Sequence, residues 1–166
     1  MKHLSKNPKE TVNLAKFFAE ELLKTKPGKK ALVVGFKGEL GAGKTTFIKA
    51  LLRALGIKGR VVSPTFIFSR RYKLANQAVK SDTNKLRRRR NSPISTAWHF
   101  DVYRLTAGAP KETKNIGLNE ALKSAENLVL VEWADKVKNT LPKGTIWIEF
   151  KHGTKSNERH LTFNRR

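Results

Sequence analysis

From residue 14 the chain sets apolar side chains four apart, at Leu14, Phe18 and Leu22, with Ala15, Phe17 and Leu23 widening the stripe. That spacing predicts an amphipathic helix. Asn7 is placed to cap it, Pro8 suits the first helical position, and Glu10 stands three residues after the cap in a capping-box arrangement. Pro27-Gly28 ends it. The pattern then changes. ALVVGF (31–36) and NLVLVE (127–132) are apolar without alternation, as strands covered on both faces of an α/β sheet are. Thr46 to Leu55 returns to the helical period, with Phe47, Leu51 and Leu55 on one stripe and Gly56 as its stop.

Further along, RVVSPTFIFSRRY (60–72) reads as extended, interrupted at Pro64, and TAWHFDVY (96–103) as another strand. Leu118 to Ala125 reads as a short helix, and ADKVKNTL as a helix or turn ended by Pro142. TIWIEF (145–150) and RHLTF (159–163) look like a strand pair around a polar loop. The order is α-β-α followed mainly by strands. It predicts an α/β fold, a mixed parallel and antiparallel sheet flanked by helices.

Composition narrows the class. At 166 residues and 39% hydrophobic content the chain suits one soluble domain, and no apolar run approaches the ~20 residues of a membrane span. The N-terminus is basic but lacks an apolar segment behind it, so no secretory signal is read and a cytoplasmic location is expected. The chain has no cysteine, which excludes disulfides and thiolate chemistry. The four histidines, at 3, 99, 152 and 160, show no metal-ligand spacing, so zinc is not expected. Lys+Arg 35 against Asp+Glu 13 gives a formal charge of +22, a field that attracts polyanions.

The strongest chemical signal is GELGAGKTT (38–46), which holds G-x-x-x-x-G-K-T between a predicted buried strand and a predicted helix. Glycines let the backbone approach phosphate oxygens with N–H groups pointing inward, and the following helix adds its positive end. The cofactor-binding set is Glu39, Gly41, Ala42, Gly43, Lys44, Thr45 and Thr46. Lys44 would reach the β- and γ-phosphates, and the Thr45 hydroxyl would ligate Mg²⁺. Glu39 has no catalytic role; its side chain is expected toward solvent or in a local cap. A phosphate loop also needs acids, one for the metal and one for the nucleophile. Asp101 and Glu132 each end an apolar strand, where α/β sheets bind ligands. Strand position alone does not say which of them holds the metal. Trp133, beside Glu132, fits either the core or the nucleotide's surroundings.

The loop, S-P-T at Ser63–Thr65, H-F-D-V-Y-R at His99–Arg104 and V-E-W at Val131–Trp133 together resemble the TsaE (YjeE) family. Smaller echoes are Glu10-Thr11, Ile116–Leu118 and Leu141-Pro142, so the resemblance runs over roughly residues 7–163. It implies a P-loop ATPase needed for threonylcarbamoyl modification of the adenosine next to the anticodon of certain tRNAs. Its implied partners are TsaD, which transfers the group, and TsaB, with ATP hydrolysis resetting that complex between turnovers. By the family pattern Lys44 and Thr45 hold phosphate and Mg²⁺, Glu132 is a second metal-side acid, and Asp101 is essential near the γ-phosphate. Thr65 would sense the γ-phosphate, Glu10-Thr11 would lie near the base, and Arg159 is a loose candidate for a phosphate contact.

One stretch departs from the family. The segment between Thr65 and His99 is longer than usual, and residues 70–93 carry nine Lys/Arg against the single acid Asp82. The chain is thus expected to be one P-loop ATPase domain over 1–166, with a basic insertion at about 73–95. A solvated hairpin is the favoured reading of that insertion, and contact with tRNA backbone the alternative. Two other classes compete for the whole chain: a small-molecule P-loop kinase, for which Arg87–Arg90 would serve a lid, and a nucleic-acid-binding module with a regulatory nucleotide site.

Overall fold

The computed structural model describes residues 1–25, 28–64, 67–74, 94–106 and 110–165. Thr65 and most of the basic insertion, including Arg87–Arg90, lie outside the described residues. In chain order the elements are β1 (Lys2–Ser5), α1 (Pro8–Lys24), β2 (Leu32–Gly38), α2 (Lys44–Ala54), β3 (Ser69–Lys73), β4 (Thr96–Asp101), α3 (Pro110–Asn115), α4 (Leu118–Ala121), β5 (Asn127–Glu132), β6 (Ile146–His152) and β7 (Arg159–Arg165). A single 3₁₀ turn, Ala134–Val137, follows β5.

The strands join one sheet in the order β1-β7-β6-β2-β5-β4-β3. Its centre, β6-β2-β5-β4, is parallel, while β7, β1 and β3 add antiparallel edges. The continuous apolar runs of β2 and β5 are explained by cover on both sides. On one face α1 and α2 lay Ala15, Ala19, Leu22, Phe47, Leu51 and Leu55 over Val34, Phe36, Leu130 and Phe150. On the other, Leu118, Ala121, Ala134 and Val137 cover Val33, Val129, Val131 and Trp147. Phe47 is the hub of the first layer: its ring lies 5.7–6.3 Å from those of Phe18, Phe36, Phe150 and Phe163.

The α1 start is built as its residues suggest. Asn7 Oδ1 accepts from the Glu10 N–H at 3.0 Å, and Glu10 Oε2 accepts in return from the Lys6 N–H at 2.7 Å. Helix α2 stops at Gly56 (φ 94), where the Ile57 N–H reaches Leu52 O and the Gly56 N–H reaches Arg53 O, a Schellman closure.

Four expectations need correction. Phe17 does not belong to the apolar stripe: it is 55% exposed, while Ala15, Ala19 and Leu22 carry the contact. Residues 60–64 are irregular, and the strand expected over 60–72 is reduced to Ser69–Lys73 on the sheet edge. The helix after Gly117 closes at Ala121 rather than Ala125. Two elements, β1 and α3, were not anticipated. Four mostly exposed residues give β1 no readable period, and its place comes from antiparallel pairing to β7.

Candidate functional site

The parallel strands β2, β5 and β4 end side by side, at Gly38, Glu132 and Asp101. Such carboxyl ends are where open α/β sheets hold ligands. Gly38 turns out of β2 at φ 138, and a Cβ there would lie 2.3 Å from Phe150 O, so only glycine fits. The loop then runs to Gly43, the N-cap of α2 at φ 98. No side chain caps that helix start, and the N–H groups of a first turn have no acceptors within the helix.

A cleft of about 260 Å³ opens over this loop, lined by Leu40 to Thr46, Asp101, Tyr103, Glu132 and Trp133. A larger groove, about 1020 Å³, lies between α1 and α2; apart from Thr46 it touches none of the loop or its acids. The smaller cleft is where the candidate chemistry converges.

Lys44 is 4% exposed, and its Nζ donates to Gly38 O at 2.7 Å and Glu39 O at 2.8 Å. The ammonium also sits 3.9 Å from the centroid of the Trp133 ring. Burial holds the Lys44 amine below its usual lysine value, opposed by attraction from Glu132, Asp101 and Asp135. Thr45, in the first turn of α2, donates its hydroxyl to Glu132 Oε2 at 2.7 Å. The other carboxylate oxygen, Oε1, lies 2.8 Å from His99 Nε2. Asp101 pairs in register with Glu132, and its Oδ1 accepts from the Tyr103 N–H at 3.1 Å.

Of the residues anticipated from sequence, Gly41, Ala42, Gly43, Lys44, Thr45, Thr46, Asp101 and Glu132 all line this one cleft. Glu39 turns outward with its side chain 82% exposed, and its carboxylate is 3.9 Å from His152. Arg159 reaches the loop backbone, donating to Gly41 O at 3.2 Å. The Glu10 side chain is engaged in the α1 cap, and Thr11 is buried with its hydroxyl 2.8 Å from Ser5 Oγ. Three residues without an assigned role emerge: His99, Tyr103 and Trp133. His99 was open to detection, since strand alternation puts it on the same face as Asp101 two positions on. Trp133 takes the left-handed conformation (φ 58), which turns its ring over Lys44 and to 4.9 Å from Tyr103.

Residues 5–161 match the family model of the threonylcarbamoyl adenosine biosynthesis protein TsaE. The chain belongs to the TsaE family. It is 34% identical over 157 residues to the tRNA threonylcarbamoyladenosine biosynthesis protein TsaE of Bacillus subtilis, covering 95% of this chain and 80% of that one. To the TsaE protein of Haemophilus influenzae it is 31% identical over 137 residues, 82% of this chain and 73% of the relative. The crystal structure of YdiB from Bacillus subtilis superposes with a TM-score of 0.62 at 29% identity, covering 98% of this chain and 83% of YdiB. The fold is therefore the P-loop nucleotide-binding fold of TsaE proteins. Among the described residues no helix is long and apolar enough to cross a membrane.

Proposed function

We propose that this chain is the Mg²⁺-dependent ATPase of threonylcarbamoyladenosine formation on tRNA, a cytoplasmic protein that hydrolyses ATP to drive turnover of a TsaD–TsaB complex. One observation carries the reading: Lys44, Thr45, Glu132 and Asp101 converge on one cleft, with Thr45 Oγ and Glu132 Oε2 2.7 Å apart. A hydroxyl and a carboxylate are hard oxygen donors, and Mg²⁺ in nucleotide sites takes one or two such ligands and leaves the rest to phosphate and water. The residues fit that ion. When bound, Mg²⁺ neutralises charge developing on the phosphate oxygens.

The chain's own groups account for the rest. Backbone N–H groups of Gly41 to Thr46 and the α2 terminus cradle the phosphates. Lys44 exchanges its two carbonyl acceptors for phosphate oxygens, a stronger charge-assisted contact. Thr45 and Glu132 hold the ion. Asp101, anchored by the Tyr103 N–H at one oxygen, orients the attacking water. Thr65 serves as the γ-phosphate sensor from its place after Pro64. The +22 charge suits an assembly that handles tRNA, and the basic insertion at about 73–95 of the single ATPase domain adds to it.

Reconstituted modification of a substrate tRNA tests the reading. Omitting the chain, or supplying Lys44→Ala, should leave at most a single turnover's worth of modified nucleoside. Equal multiple-turnover product in its absence would contradict the proposal. A small-molecule acceptor that alone accelerates ATP consumption would point to the kinase class instead. RNA binding by the free chain that is indifferent to Lys44→Ala would point to the binding module.

A further inference from the structure

His99 is a fully buried, polar ring on a sheet face otherwise apolar at Ala97, Val34, Phe36, Leu128 and Leu130. Leucine or phenylalanine would fill such a position without the desolvation a buried imidazole costs. What the ring does there is set by its two nitrogens. Nε2 lies 2.8 Å from Glu132 Oε1, while Nδ1 has no hydrogen-bond partner among the described residues.

These facts select one tautomer. An ionised carboxylate only accepts, so the proton of the 2.8 Å contact belongs to Nε2. A proton on Nδ1 instead would bury an unpaired N–H and turn the Nε2 lone pair toward the carboxylate. With the proton at Nε2, Nδ1 carries only a bare lone pair. Glu132, itself 2% exposed, then receives one donor at each oxygen: His99 at Oε1 and Thr45 at Oε2.

We propose that His99 is a positioning residue of the nucleotide site: its Nε2–H fixes Glu132 Oε1, so that Oε2 is the oxygen presented to Thr45 and the cleft. This rests on the reading of Glu132 as the metal-side acid. Without the histidine, Thr45 is the one hydrogen-bond partner left to the carboxylate among the described residues, and it must itself adjust when ligand arrives. Outer-shell hydrogen bonds that orient a ligating group typically carry a 10–100-fold effect on metal affinity or activity.

The full-length chain allows a direct test. Long-range ¹H–¹⁵N NMR on the ¹⁵N-histidine-labelled protein, without ligand, should show one histidine that holds its proton at Nε2. Its signals should shift in Glu132→Gln. Calorimetry should then show that His99→Leu weakens the Mg²⁺-dependent part of ATP binding by about 10–100-fold, with Mg²⁺-free binding little changed. His99→Gln, which returns an N–H donor near the Nε2 position, should recover most of that loss. A ring with its proton at Nδ1 and none at Nε2, or equal defects in the Gln and Leu variants, overturns the proposal. The NMR measurement on the unaltered chain decides it alone if His99→Leu does not fold. If Glu132→Ala leaves the Mg²⁺ dependence untouched, the reading of the acid has failed rather than that of the histidine.

Discussion

Replacing Lys44 by methionine should separate two quantities that usually fall together in a buried-residue variant, ligand affinity and stability. Methionine keeps the unbranched apolar stem and removes the ammonium. In the free protein that ammonium makes two hydrogen bonds to carbonyls, at 2.7 and 2.8 Å, and lies over the Trp133 ring. Yet burial outweighs the attraction of Glu132, Asp101 and Asp135 and holds the amine below its usual lysine value. The sign follows: a lysine whose folded value is depressed binds fewer protons folded than unfolded, so its charge works against folding at neutral pH. Removing it should therefore leave stability unchanged or slightly raised. Affinity behaves oppositely. Charge-assisted hydrogen bonds carry about 1.5–3 kcal/mol each, and contact with two phosphate oxygens gives about 3–6 kcal/mol, or roughly 10²–10⁴-fold in Kd. Urea unfolding and ATP calorimetry on the same preparation measure both. ATP affinity within threefold of the parent would refute the assignment. A loss of several kcal/mol of stability would refute the account of how the charge is held.

Other consequences are more local. Because Lys44 is depressed when free and would be raised beside phosphate, ATP binding at about pH 9 should take up more protons than at about pH 7; calorimetry in buffers of different ionisation enthalpy reads this, and equal uptake would contradict it. Glu132→Ala should reduce Mg²⁺-dependent hydrolysis by about 10²–10³-fold, the scale for loss of one preorganised electrostatic group, and weaken nucleotide binding less; unaffected turnover would remove Glu132 from the site. Phe47→Ala, at the hub of five aromatic rings, should cost about 3–5 kcal/mol in denaturant unfolding, and a cost under about 1 kcal/mol would mean that the ring cluster does not hold α2 to the sheet.

Legibility in the sequence followed the range of the interaction. The α1 cap, the two buried strands and the loop between β2 and α2 rest on neighbours within a few residues, and each is where its pattern puts it. β1 is different. Its four residues carry no period of their own and are ordered by β7, more than 150 positions away. Residues 60–64 have the β-branched content of a strand, but Pro64 removes a donor and the chain there joins no ladder. Phe17 shows the limit of a helical wheel: the stripe is read correctly, but its width depends on where the sheet ends beneath it.

The site divides the same way. Glycine spacing and strand ends pointed to the loop and both acids, but could not rank the acids. The reading of Glu132 as the metal-side acid is supported by a contact between residues 87 apart, Thr45 and Glu132. Asp101 is the register partner of Glu132, and its Oδ1 accepts from the Tyr103 N–H. His99 escaped notice because the histidines were weighed as zinc ligands, not as donors to a carboxylate on the next strand.

The central claim is that this loop spends ATP on behalf of partner proteins. The most direct measurement is Mg²⁺-dependent phosphate release by the purified chain, alone and mixed with TsaD and TsaB from the same source. The account predicts slow release alone, a marked rise when both partners are present, and loss of that rise in Lys44→Ala. Neither a complex nor any stimulation by the two partners would contradict it.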